Sequence, residues 1–312
     1  MRNIAKYILK RILGTIPLLI IVSFISFSLM NLSSSDPAEI MLSSQGTVVT
    51  PELLESVRSD MGLDKPFLTQ YINWLKSVSH GDLGTSYSSG RSVITELREY
   101  LPYTIVLAAS SMILTLIVSI PLGIISAVKK DKFIDHLIRG LTFIGNSIPG
   151  FLLALILLLI FSLKFKLLPI LSESGFKSII LPTITLSVAM TSKYIRQIRA
   201  VVIEELEKGY VKGSRSRGIK EGVILYKNVL KNIMITVITL TGLSMGSLMG
   251  GTAIVESIFV WPGIGNLALS AIANRDYPII QGYVLWMAVI FIVINLITDL
   301  LYKIVDPRVR EV

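Results

Sequence analysis

The sequence predicts an all-α integral membrane protein with six membrane-spanning helices. Composition is the first sign: 52% of the 312 residues are hydrophobic and only 16% are charged, where soluble domains carry about 25% charged residues. Clustering is the second. The apolar residues gather into six runs, at about 9–30, 102–128, 137–163, 178–200, 232–255 and 283–304. A helix needs roughly 20 such residues to cross a bilayer, and runs longer than about 18 favour a membrane helix over a buried one.

The first run follows Arg2, Lys6, Lys10 and Arg11, as in a secretory leader. Its apolar part, Ile12 to Met30, exceeds the ~7–15 residues of a leader's hydrophobic region. The stretch after it, from Asn31 to Asp36, offers no small-residue cleavage site. It reads as a retained helix with its N-terminus in the cytoplasm. The fourth run is the weakest, because Lys193, Arg196 and Arg199 draw its inner end toward the surface.

Charge orients the spans. The net charge is +9, and six spans put both termini on one side. The termini and the segments 129–139 and 193–231 together hold 21 of the 30 Lys and Arg residues, leaving nine for 31–101, 164–177 and 256–282. That asymmetry matches the positive-inside rule and puts both termini of a multi-pass membrane protein in the cytoplasm. A nucleic-acid-binding face would need its cations on one soluble domain, and none exists, so nucleic acid is excluded as a partner while the lipid bilayer is required. With no cysteine, disulfides, iron–sulfur ligation and thiol nucleophiles are excluded together. His80 and His136 are too few for an all-histidine metal cage.

The one sizeable extramembrane segment, 31–101, carries nine acids against five bases. Thr50-Pro51-Glu52 reads as a helix N-cap with proline at the first position, and Gly62 ends that helix. A second helix opens at Asp64-Lys65-Pro66 and puts Phe67, Tyr71, Leu75 and Val78 on one face. Gly81 to Ser86 reads as turns. The segment is a small folded cap on the outer side.

The inner loop between the fourth and fifth runs is the most informative stretch. Glu204 to Glu221 suggests a short helix, a glycine stop and a second short helix, with Gly218 in the left-handed conformation. Small side chains at Gly213, Ser214 and Ser216 allow close approach by a partner. A solvated, positively charged hairpin is the other reading of the same residues.

Tyr210-Val211-Lys212-Gly213-Ser214-Arg215-Ser216-Arg217-Gly218 resembles the "YVRTARAKG" form of a cytoplasmic loop in permeases of the peptide/nickel family of ATP-binding-cassette importers. Ser214, Arg215, Ser216 and Gly218 match that pattern's Ala, Arg, Ala and Gly. Two departures stand out: Asn228 where the family often has histidine, and no proline after Leu230-Lys231-Asn232. Other landmarks run along the chain: Gly62-Leu63-Asp64-Lys65-Pro66, Gly81-Asp82-Leu83-Gly84, Pro121-Leu122-Gly123, Gly250 to Gly265, Asn274-Arg275-Asp276-Tyr277 and the Asp306-Pro307-Arg308 ending. The Thr47 to Glu52 approach and the Asn274–Tyr277 stretch look closest to nickel-type members.

The resemblance implies a type I importer permease fold, with 1–30 as an N-terminal helix, 31–101 as the extracytoplasmic cap and 102–312 as the permease core. It implies a coupling loop at 201–230, in which Tyr210, Gly213, Ser214, Arg215, Ser216 and Gly218 dock on an ATPase subunit. The implied partners are a second permease subunit, two ATPase subunits and an extracytoplasmic solute-binding protein. The implied cargo is nickel, chelated, or a di- or oligopeptide. There is no G-x-x-x-x-G-K-[ST] phosphate cradle in the chain, so ATP and Mg²⁺ belong to the partner ATPases and this chain binds no cofactor of its own.

Polar residues in or beside spans are candidates for the transport path, because lipid disfavours them. Asn146 and Ser147 lie mid-span beside Pro149, and Glu256 lies at the end of the fifth run before Trp261. The bland alternatives are a helix-packing hydrogen bond for Asn146, and an interfacial carboxylate and aromatic-belt residue for Glu256 and Trp261. No residue is expected to be catalytic and no metal site is expected. Gly242-Leu243-Ser244-Met245-Gly246 fits a serine-hydrolase pattern, but it lies inside an apolar run where Gly242, Gly246 and Gly250 form a small-residue ridge for helix packing. Besides an intramembrane hydrolase using Ser244, the alternatives are a secondary transporter or a channel, which would carry ion-coupling acids within spans and usually an internal repeat.

Because the chain lacks cysteine, single cysteines report topology directly. Ser88→Cys is expected to react with an impermeant thiol reagent on intact cells, and Ser216→Cys to react only after permeabilisation. The reverse pattern would invert the orientation.

Overall fold

The computed structural model describes residues 2–32, 36–44, 46–170 and 175–305. The Asp306-Pro307-Arg308 ending lies outside the described residues. The helices in chain order are α1 Arg2–Asn31, α2 Pro37–Ser44, α3 Pro51–Asp60, α4 Phe67–Ser79, α5 Val93–Val128, α6 Phe133–Ser147, α7 Gly150–Leu157, α8 Phe176–Glu207, α9 Gly209–Ser216, α10 Glu221–Val223, α11 Leu230–Gly251, α12 Ala253–Ile258, α13 Ile264–Ala273 and α14 Tyr277–Val305. Wider π turns, Leu158–Lys164 and Ile224–Val229, extend α7 and lead into α11. Among the described residues there is no strand, only an isolated bridge between Thr85 and Ser92. The protein is an all-α membrane protein.

Among the described residues, five stretches are long and apolar enough to cross a membrane: Leu13–Asn31, Val93–Val128, Phe176–Glu207, Glu221–Gly250 and Tyr277–Leu301. The third run of the sequence is not a straight span. It is a pair of helices bent by 98° at Ser147-Ile148-Pro149, and counts as a sixth span only if the pair is taken as one. Proline is the cause. Its ring disfavours the helical region for the preceding residue, and Ile148 accordingly sits at φ −80°, ψ 121°. Pro149 then serves as the N-cap of α7.

The chain folds as two compact units. The first comprises Met1–Thr104 and Pro262–Val293. In it Thr50 Oγ1 accepts the Leu53 N–H at 3.3 Å, capping α3, and Gly62 follows the helix at φ +68°. The apolar face of α4 meets α1 in an aromatic cluster: Phe24–Tyr71 and Phe27–Trp74 have ring centroids 5.2 and 5.6 Å apart. Tyr71 Oη and Ser23 Oγ share a hydrogen bond of 2.9 Å beneath it. A second core gathers Leu83, Val93, Leu97, Ile264, Ala271 and Ile279.

Asp276 joins these parts. Its carboxylate is 2% exposed and accepts from Ser86 Oγ (2.5 Å), the Tyr87 N–H (3.2 Å) and the Ser88 N–H (3.1 Å). The cap segment 86–88 is thereby tied to the turn between α13 and α14. Burial, and then the charge of Asp276, push the Tyr87 phenol up from its ordinary pKa.

The second unit comprises Ile105–Trp261 and Ile294–Val312, with a core of Ala154, Leu181, Val255 and Phe259. Glycines set its closest helix approaches. A Cβ on Gly123 would lie 2.7 Å from Ile198 Cγ2, and one on Gly145 would lie 2.5 Å from Ser192 Oγ. The expected ridge on α11 holds only in part. A Cβ on Gly242 would meet Thr298 Oγ1 at 2.2 Å, whereas one on Gly250 meets nothing within 4 Å.

Thr298 is short and branched, and its hydroxyl is held by Ile294 O at 2.8 Å. Gly242→Ala is therefore expected to lower stability by ~1–3 kcal/mol through overpacking. Gly250→Ala is expected to be neutral or to stabilise by up to ~1 kcal/mol through helix propensity. Thermal unfolding of the two purified variants in one detergent checks this contrast.

Candidate functional site

The loop between α8 and α11 folds into a defined structure. Helix α9 covers Gly209–Ser216 and ends on Gly218 at φ +72°. The Gly218 N–H donates to Arg215 O at 2.9 Å and the Ile219 N–H to Ser214 O at 3.2 Å. These are the paired bonds of a Schellman cap, in which the last helical carbonyls are satisfied and a left-handed residue turns the chain. The Arg215 guanidinium then spans the turn, with Nε 2.6 Å from Glu221 Oε1 and Nη2 3.2 Å from Oε2. Both partners are exposed, so the pair adds at most ~1 kcal/mol, but it sets the start of α10 against the end of α9.

Burial divides the six residues singled out from the sequence. Arg215, Ser216 and Gly218 are exposed, and Gly213 has open space where a Cβ would stand. Ser214 is different. It is 3% exposed and its hydroxyl donates to Tyr210 O at 2.8 Å, so it faces its own protein, with Val211, rather than an incoming surface. The outward face is basic: Lys212, Arg215 and Arg217 are all exposed.

Tyr210 leads to a group that sequence reasoning missed. Its hydroxyl donates to Glu205 Oε1 at 2.7 Å, and Asn232 Nδ2 donates to the same oxygen at 2.5 Å. Asn232 Nδ2 also lies 3.2 Å from Tyr210 Oη, and the Lys208 ammonium pairs with Glu205 Oε2. Glu205 is 4% exposed while Glu204 and Glu207 are exposed. Helical spacing carried the signal, because Ile198, Val202 and Glu205 share one buried face of α8. Burial, then the hydrogen bond to Glu205, push the Tyr210 phenol up to about 12, so it remains a protonated donor at any physiological pH.

A second buried carboxylate was also missed. Asp135, fully buried on α6, accepts from Ser126 Oγ (2.5 Å) and Arg199 Nε (2.8 Å) on one oxygen. Its other oxygen accepts from Arg199 Nη2 (2.7 Å) and the Asp131 N–H (3.0 Å). The end of α5 and the start of α6 are thus bound to the C-terminal third of α8. Arg199 therefore does more than draw its helix toward the surface.

The transport-path residues fall into two places. Asn146 and Ser147 sit exposed at the α6–α7 bend, where Arg196 Nη2 reaches Asn146 Oδ1 at 3.5 Å and Ser147 Oγ donates to Phe143 O at 2.8 Å. Glu256 and Trp261 come together around the end of α12, with the Trp261 N–H donating to Glu256 O at 2.7 Å. Glu256 is 0% and Trp261 7% exposed, so neither is an interfacial residue turned to solvent or lipid. Ser244 is buried within α11, without the strand–turn–helix elbow that makes a serine a nucleophile. Among the described residues no three His, Cys, Asp or Glu side chains converge to hold a metal. His80 Nδ1 lies 2.8 Å from Lys76 O and His136 Nδ1 lies 3.0 Å from Lys132 O, each one turn back on its own helix.

Comparison with known proteins covers most of the chain. Residues 119–311 match the family described as "Binding-protein-dependent transport system inner membrane component", and residues 4–108 match its N-terminal membrane component. A metal-staphylopine import system permease protein of Staphylococcus aureus (strain NCTC 8325 / PS 47) is 38% identical over 307 residues, covering 98% of each chain. A glutathione transport system permease protein of Pectobacterium atrosepticum is 37% identical over 305 residues, covering 98% of this chain and 99% of its own. Among solved structures, an inward-facing MetNI methionine ABC transporter chain superposes with a TM-score of 0.58 at 15% identity, covering 68% of this chain and 97% of its own. At that identity the likeness concerns the fold.

A branched residue at Gly218 must hold a left-handed conformation, at ~1–2 kcal/mol. Gly218→Val is therefore expected to speed backbone hydrogen exchange in 209–221 several-fold while the spans keep wild-type protection. Unchanged exchange in that segment would show that the cap does not depend on glycine.

Proposed function

The chain belongs to the family of binding-protein-dependent transport system inner membrane components, and on that premise we propose that it carries a small peptide, or a metal held in an organic complex, across the membrane. It is the permease of an ATP-binding-cassette importer, a transport component and not an enzyme. The observation that supports the cargo reading is full-length similarity to two permeases, one named for a metal-staphylopine complex and the other for glutathione. Nickel arriving as a chelate falls in this class.

The working unit is this chain with a second permease, two ATPase subunits that bind ATP and Mg²⁺, and an external binding protein. Both termini and 201–230 face the cytoplasm, and the cap at 31–101 faces outside. In this reading α9 is the coupling helix. Its Schellman cap holds it at a fixed angle, and its exposed basic face meets the ATPase. Closure of the ATPase pair displaces α9, and alternating access follows as a shift between two states that ATP favours unequally. Asn146 and Ser147, exposed at the α6–α7 bend, are the polar groups that cargo would pass, whereas Glu256 is enclosed near α12.

Metal, when carried, is handled as a complex. Imidazole and thiolate are the preferred nickel ligands; this chain has no cysteine, and among the described residues no three His, Cys, Asp or Glu side chains gather to hold a metal. The test is ATP-dependent uptake into vesicles holding the purified importer and its binding protein, offered labelled nickel as free ion, nickel as a chelate, and a small peptide. Uptake of complex or peptide and not of the free ion is expected. The His80→Ala, His136→Ala double variant should retain at least about half of wild-type uptake. A tight stoichiometric Ni²⁺ site on the permease, abolished by either change, would overturn the cargo reading.

A further inference from the structure

We propose that Glu205 is a positioning residue that transmits movement of the coupling helix to two membrane helices at once, an inference that rests on the reading of α9 given above. Three elements meet at its carboxylate. Glu205 lies in the last turn of α8, Tyr210 in the first turn of α9 and Asn232 in the first turn of α11. Oε1 takes hydrogen bonds from Tyr210 Oη at 2.7 Å and Asn232 Nδ2 at 2.5 Å. Oε2 takes the Lys208 ammonium from the residue linking α8 to α9.

This is an unfavourable place for an acid. The C-terminal end of a helix presents unpaired carbonyls and disfavours negative charge, and Glu205 is 4% exposed. It is stable there only while its three donors stay in place. A displacement of α9 that pulls Tyr210 away leaves a buried carboxylate short of a donor, which is costly. The low-energy response is for the ends of α8 and α11 to move with α9. Packing makes only part of this link, because the outward face of α9 is solvated and its buried residues are Val211 and Ser214. Glu205 thus makes a rigid joint where the chain connection is a single residue, Lys208.

The test uses the complete importer in proteoliposomes, measuring cargo moved per ATP hydrolysed and the dependence of ATPase on binding protein. Glu205→Leu removes the acceptor, Tyr210→Phe removes one donor, and Glu205→Gln keeps a carbonyl that both donors can reach. Cargo per ATP is expected to fall about tenfold in Glu205→Leu and about threefold in Tyr210→Phe, with ATPase less dependent on binding protein. Glu205→Gln is expected to restore most of the ratio, and the ATPase is expected to co-purify in all three. A wild-type ratio in both Glu205→Leu and Tyr210→Phe overturns the proposal. So does an equal fall of transport and ATPase that leaves the ratio intact. Failure of the wild-type chain to retain an ATPase would overturn this proposal and the coupling reading together.

Discussion

A carboxylate removed from water costs several kcal/mol unless donors surround it, and three buried carboxylates organise much of this protein. Asp276 holds the cap segment 86–88 to the α13–α14 turn. Asp135 binds the end of α5 and the start of α6 to α8 through a two-pronged pair with Arg199. Glu205 gathers α8, α9 and α11. In each case one acid reaches several backbone segments, and releasing any of them would strand a charge. The side chains therefore act as polar joints that add to the packing between these elements.

Glycine and proline set the remaining geometry. In a bilayer the hydrophobic effect does little to drive helices together, so close approach depends on small residues. Gly123, Gly145 and Gly242 each face a side chain that would clash with a single added carbon. Pro149 works in the opposite sense, by interrupting a helix that the apolar pattern would have continued. Asn146 and Ser147 lie exposed at that bend.

The loop at 209–221 shows how local and distant information divide. Its helix, its left-handed Gly218 and its small residues were legible, because a glycine placed after a short helical stretch has one common use. The orientation of α9 was not. Ser214 read as part of an open face and proved to be turned inward, while Arg215 proved to be engaged by Glu221. In the run Glu204-Glu205-Leu206-Glu207 the acids look alike, and only the register of α8 against its neighbours buries the middle one.

The sequence by itself determined the membrane class, the number and placement of the apolar runs, the capped helices of the outer segment and the family. Each rests on composition or on residues close together in the chain, where twenty apolar positions or a Thr-Pro-Glu cap carry their own physics. Tertiary structure decided which acids are buried and which glycines are contacts. It also decided that Glu256 and Trp261 are enclosed rather than interfacial. Those outcomes depend on what lies opposite each side chain, across separations such as the 64 residues between Asp135 and Arg199. A hydrophobic pattern states that a face is buried; it does not state against what.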